Sequence, residues 1–175
     1  MSSQVNQPND LNTIASMLES AWQRQGLKAK ASHATLLHHG SGPLMFRHWE
    51  IQMASQLFAE LHAMRGLSEQ WQLSLTIGAP IPEMDEPEVL LSFLREANRA
   101  LSPVRVLFYP QEIGLLVQGQ TAQAHAVPSL YWQLHVMLER SLKSTLDLAV
   151  SLARKELSLD DVILRWSKNL NEMTS

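Results

Sequence analysis

The chain contains no cysteine. That excludes disulfides, thiolate nucleophiles and cysteine-ligated metals, and it fits a reducing compartment, so a cytoplasmic location is expected. It also lacks an excess of either charge. Fourteen Lys and Arg stand against 17 Asp and Glu, a formal net charge of −3, and no basic run occurs. A nucleic-acid surface would have no electrostatic footprint here, and nucleic acid is not expected as a partner. No apolar run approaches the ~18 residues that a spanning helix needs. The first ten residues, Met1 to Asp10, carry neither a basic nor an apolar segment of the kind that begins a secretion signal. A membrane is therefore not expected as a partner either.

Catalytic and ligand-binding motifs are also scarce. Gly-x-Ser-x-Gly is missing, and Gly40-Ser41-Gly42 reads only as a turn. There is no Gly-x-x-x-x-Gly-Lys, no Gly-x-Gly-x-x-Gly and no His-Glu-x-x-His. The seven histidines are His33, His38, His39, His48, His62, His125 and His135. None stands four residues from another on an expected helix. His38 and His39 are strand neighbours, which point to opposite faces and cannot chelate together. Spacing along the chain does not address ligands assembled from distant segments. Glu83, Asp85, Glu86 and Glu88 precede an expected helix, where they favour its N-terminus. No metal, no cofactor and no enzyme are expected on these grounds.

What is present is globular. Of the 175 residues, 45% are apolar and 18% charged, enough for a sizeable core. The reading is a disordered N-terminus over 1–9, one domain over 10–157, and a helical appendage with a tail over 158–175. Asp10 is placed to cap a helix with Leu11, Ile14, Leu18, Ala21 and Trp22 inward, and Gly26 stops it. Leu27–His39 and Leu44–Glu50 read as two strands of a hairpin across the turn at 40–43. For Ile51–Arg65 the stripe Ile51, Ala54, Leu57, Phe58, Leu61, Met64, with Gly66 after it, predicts a helix. An extended continuation is the alternative. Trp71–Ile77 alternates with Trp71, Leu73, Leu75 and Ile77 inward, and 78–83 reads as an irregular connection. Asp85 and Glu88 form a capping-box pattern with Pro87 in the first turn. That helix would bury Val89, Leu90, Phe93, Leu94, Ala97 and Leu101, and Ser102-Pro103 ends it.

The chain is organised around Val104–Leu152. Val104–Tyr109 and Glu112–Val117 predict a β-hairpin. Pro110 cannot take positive φ, so a four-residue loop Tyr109–Glu112 around a type I turn is expected. That register pairs Phe108 with Ile113, Val106 with Leu115 and Val104 with Val117, and all four of Phe108, Ile113, Val106 and Leu115 should be nearly buried. The second face holds Arg105, Leu107, Tyr109, Gly114 and Leu116. A long helix from Pro128 follows, with Leu130, Leu134, Leu138, Leu142, Leu146 and Ala149 as its stripe. Gln133, Glu139, Arg140, Lys143 and Ser144 make its solvated side. Ser158 and Asp161 cap a last helix with Leu159, Val162, Ile163, Trp166 and Leu170 on one side. Trp22, Trp71 and Trp166 read as core, Trp132 as core or rim, and Trp49 as partly buried. Hairpins without a βαβ repeat predict an α+β fold, an antiparallel sheet of about five strands with helices on one face.

One resemblance follows from this order. A strand ending Ile-Gly-Ala-Pro, a proline-rich acidic loop, Leu90-Leu-Ser-Phe-Leu-Arg-Glu-Ala-Asn98, the 104–117 hairpin and a long closing helix resemble the type III secretion chaperone-like fold, which the YbjN-like bacterial proteins share. The likeness covers roughly 71–152 and rests on packing motifs. The helix over 51–65, the last helix and a longer, less acidic chain depart from the minimal pattern. A free-standing bacterial member, cyanobacterial sources included, fits it. The resemblance implies a non-enzymatic protein-binding module, chaperone-like or regulatory, that works as a homodimer and holds an extended segment of another protein. Arg105, Leu107, Tyr109 and Leu116 are its expected partner or dimer face. The alternative is a small-molecule-binding or enzymatic domain whose site is assembled from dispersed residues.

Overall fold

The computed structural model describes residues 7–31, 35–39, 42–52, 58–65, 70–84 and 87–174. The helices are α1 (Gln7–Arg24), α2 (Glu88–Ala100), α3 (Val127–Ser141), α4 (Asp147–Ala153) and α5 (Leu159–Thr174). The strands are β1 (Ala29–Ala31), β2 (Thr35–His39), β3 (Gly42–Gln52), β4 (Phe58–Arg65), β5 (Trp71–Pro80), β6 (Arg105–Tyr109) and β7 (Glu112–Thr121). Their order in the sheet is β1-β3-β4-β5-β7-β6, and β2 also pairs with β3. The fold is α+β with an antiparallel sheet. Among the described residues no helix is long and apolar enough to cross a membrane. The chain divides into two compact units, residues 1–75 with 118–134 and residues 76–117 with 135–175.

In the first unit, α1 forms because Leu11, Ile14, Ala15, Leu18, Ala21 and Trp22 fall on one side, and all are buried. It ends where Gly26 adopts φ +71°. There the Leu27 and Gly26 N–H groups donate to the Trp22 and Gln23 carbonyls at 3.0 and 3.1 Å, a Schellman turn. Trp22 meets Trp49 edge-on at 5.8 Å and Tyr131 at 5.3 Å. Glu19 accepts from the Trp49 indole N–H at 3.1 Å and pairs with Arg47 at 3.3 Å. Trp49 is therefore fully enclosed rather than partly buried. The expected first strand is two short pieces, both antiparallel to β3. The turn residues 40–41 and the side chains of Asp10, His38 and His39, like all of His33, lie outside what is described.

Two sequence expectations fail near this sheet. Ile51–Arg65 is not a helix: β3 continues to Gln52, and Phe58–Arg65 is a strand paired with β3 over eight positions. The helical stripe misleads because alanines carry two of the three buried positions in the true alternation. Ala59, Leu61 and Ala63 are buried, while Glu60, His62 and Met64 point the other way. Pairing along a whole strand outweighs the helix propensity of Glu-Leu-His-Ala-Met-Arg. Ala54, Leu57 and Gly66 lie outside the described residues. The second failure is the connection at 78–83, since β5 runs on to Pro80, and the Ile81 N–H donates to the Gln111 carbonyl at 3.0 Å.

In the second unit, α2 buries Leu90, Phe93, Leu94 and Ala97. Val89 is 44% exposed, because it sits in the first turn beyond the packed stripe. Pro87 stands at the helix start, and no side chain caps it; Asp85 is outside the described residues. The β6–β7 register is the expected one, with Phe108 opposite Ile113 and Val106 opposite Leu115. Tyr109 also pairs with Glu112, so the loop is two residues, Pro110–Gln111, rather than four. Neither takes positive φ. Val106, Ile113 and Leu115 are buried, but Phe108 is only partly so, since it sits on the edge strand one residue from the end of the pairing.

The long helix is interrupted by a π turn at Leu142–Leu146, between α3 and α4. Leu134, Leu138, Leu142, Leu146 and Ala149 are buried as expected, and Leu130 is partly so. Ser144 is buried instead of solvated. A π turn adds a residue, which rotates the following positions by roughly 100° about the axis. Ser144 and Thr145 within the turn face inward, as does Ser141 just before it. Ser141 and Ser144 donate to the Met137 and Arg140 carbonyls at 3.0 and 3.1 Å. In α5 the capping box is as expected: the Asp161 N–H donates to Ser158 Oγ at 3.2 Å, and Asp161 Oδ2 accepts from the Ser158 hydroxyl at 2.6 Å. The Ser158 hydroxyl and then the Ser158 backbone N–H, which donates to Asp161 Oδ2 at 3.4 Å, hold the Asp161 carboxyl below its usual range. Val162 and Trp166 are buried, and Trp166 meets Phe93 edge-on at 5.6 Å. Ile163, expected inward, is 44% exposed.

Candidate functional site

The second face of the β6–β7 hairpin is set by strand alternation and register. Arg105 stands opposite Leu116, Leu107 opposite Gly114, and Tyr109 opposite Glu112. Tyr109 is 52% exposed, Arg105 is exposed, and Leu107 and Leu116 are each partly buried. The four residues singled out in the sequence thus share one face. Glycines form its floor. Leu107 lies over Gly114, and the Glu112 carboxylate occupies the place a Cβ would take at Gly78.

The edge beside that face is capped at Val106. An edge strand presents free N–H and C=O groups to any passing strand. Here Asn98, at the end of α2, accepts from the Val106 N–H at 2.6 Å and donates to the Val106 carbonyl at 3.0 Å. The Val104 N–H donates to the Leu101 carbonyl at 2.8 Å.

A groove of about 760 Å³ lies in the same unit, lined among others by Pro82, Val89, Leu90, Leu152, Lys155 and Leu159. Its floor is apolar and its rim charged. Lys155 has φ 58°, the left-handed region where a side chain is disfavoured.

A third cluster was not legible along the chain. His48 on β3 stands directly opposite His62 on β4, and Glu60 is two residues before His62 and so on the same face. Potential ligand atoms of the three all lie within 4.8 Å of one another. His62 Nε2 is 3.5 Å from Glu60 Oε2. The His48 and His62 rings meet edge-on at 5.0 Å, and Phe46 packs on the His62 ring at 5.1 Å. Burial and then the neighbouring His48 lower the His62 pKa, and Glu60 opposes them. The arrangement can hold a cation between two imidazoles and a carboxylate. The sequence does not announce it, because the apolar stripe over 51–65 predicts a helix there. The extended alternative for that segment would have placed both histidines on one hairpin.

No family model matches the chain, and no curated protein and no solved structure matches it.

Proposed function

We propose that the chain is a non-enzymatic protein-binding module, chaperone-like or regulatory, acting in the bacterial cytoplasm as a homodimer that holds an extended segment of another protein. The observation that carries the reading is the second hairpin face. An exposed tyrosine and arginine lie there with two partly exposed leucines, one of them over Gly114. Arginine and aromatic rings are enriched at protein interfaces, and leucines beside bare backbone offer contact area for close approach. Further support comes from Val89, Val136, Met137, Ile163 and Leu164, which are exposed within the same unit, Leu164 at 72%. The groove past Lys155 has the apolar floor and charged rim that would take side chains of an extended segment. The resemblance to secretion chaperone-like proteins points the same way at the level of element order.

The test places a photo-cross-linking residue at Tyr109 and, as a control, at the exposed Gln23 of α1. Specific adducts from Tyr109, to a second copy or to another protein, are expected. Sedimentation should give a dimer for the wild type and a folded monomer for Leu107→Glu with Leu116→Lys. A wild type that stays monomeric at high micromolar concentration and gives no adduct from Tyr109 would overturn the proposal.

A further inference from the structure

We propose that His48, Glu60 and His62 form a binding site for a divalent transition-metal cation, with zinc the best-fitting species. Three observations carry it. The first is placement. Residues directly opposite on antiparallel strands have Cβ atoms ~4.5–5.5 Å apart, which lets two imidazoles converge on one point. Glu60 joins them because alternate residues of a strand share a face. The pairing His48–His62 is fixed by the eight-residue β3–β4 register, not by loop geometry.

The second is distance. Donors ~2.0–2.1 Å from a tetrahedral zinc ion stand ~3.3 Å apart. His62 Nε2 and Glu60 Oε2 are already 3.5 Å apart, and all three donors are within 4.8 Å. Small side-chain rotations close the remainder. Phe46 against the His62 ring limits how far that ring turns, the orienting role that neighbours of metal ligands commonly fill.

The third is charge. Glu50 stands directly opposite Glu60 on this face. Like charges in directly opposed strand positions destabilise a sheet. A dication between Glu60 and the imidazoles offsets that repulsion.

The donor set decides the class of ion. Two imidazoles with one carboxylate suit zinc and its first-row neighbours, whereas calcium and magnesium take oxygen donors in larger number. Three protein donors leave a fourth tetrahedral position for water or for a group from another molecule, unlike a closed four-ligand structural site. The site lies on β3 and β4 of the first unit.

The experiment uses the full chain, stripped with a chelator and titrated with Co²⁺, whose tetrahedral complexes absorb visibly, and then with Zn²⁺ against a chromophoric competitor. One saturable equivalent is expected, with a thermal midpoint that rises as Zn²⁺ is added. Glu60→Gln and His48→Gln with His62→Gln should each weaken binding by ~10-fold or more. His125→Gln with His135→Gln should leave it unchanged. Circular dichroism of each stripped variant verifies its fold. Glu60→Gln, whose side chain is 58% exposed, decides the matter should the double histidine variant misfold. Absence of saturable binding, or binding that survives Glu60→Gln at full affinity, would overturn the proposal.

Discussion

Thr145 and Trp166 show what a single buried polar contact does in this protein. Trp166 is 8% exposed and Thr145 is fully buried, and the indole N–H donates to the threonine hydroxyl at 3.2 Å. A buried indole contributes a large apolar body, but its one N–H needs an acceptor. Thr145→Val keeps the shape and removes that acceptor. The expected cost is about 1–3 kcal/mol, the penalty of an unsatisfied buried donor, read from the urea midpoint. Trp166→Phe made in both backgrounds completes the cycle, and the Thr145→Val effect should shrink once the indole is gone. An equal effect in both backgrounds would assign the cost to the threonine itself.

At the scale of elements, two helix ends use one motif with different residues. α1 stops at Gly26 with φ +71°, and α4 stops the same way at Lys155 with φ 58°. After α4 the Glu156 N–H donates to the Ser151 carbonyl at 2.9 Å and the Lys155 N–H to the Leu152 carbonyl at 3.0 Å. The left-handed conformation costs an ordinary residue ~1–2 kcal/mol, part of which glycine gives back as greater freedom in the unfolded chain. Lys155→Gly is therefore expected to stabilise by about 0.5–1 kcal/mol, measured by denaturation. An unchanged or lower midpoint would show that the lysine side chain makes compensating contacts at the groove rim.

At the scale of the whole molecule, stability should depend on mildly acidic pH. His135 is 14% exposed at its side chain, and Glu139 Oε1 is 4.0 Å away on the same helix. Burial lowers its pKa and outweighs the opposing pull of Glu139. The unfolded imidazole titrates near ~6.5, so below that value the unfolded chain binds the proton more readily than the folded one. Stability then falls as pH drops from about 6.5 toward the lowered folded value, and it is kept above. Thermal midpoints in chelator-containing buffers should decline from pH 7 to pH 5, and His135→Gln should flatten the decline. A variant with the wild-type slope would show that other groups set it.

Where the signal is local, the sequence by itself determined the outcome. The Ser158–Asp161 capping box, the Gly26 stop, the strict alternation from Trp71 to Ile77 and the pairing of Phe108 with Ile113 rest on residues two to five positions apart. The side chains are also large enough for only one face to suit them. Tertiary structure decided the rest. Phe58–Arg65 is a strand because β3 lies beside it, and a segment alternating through alanines does not announce that by itself. The π turn buries Ser144 and Thr145 where Trp166 of a distant helix supplies a donor. His48, Glu60 and His62 converge only through that same β3–β4 pairing. Helix and strand preferences differ by fractions of a kcal/mol per residue, whereas a paired strand with one buried face gains several. The long-range contact therefore chose the local conformation, and with it the only place where these three side chains meet.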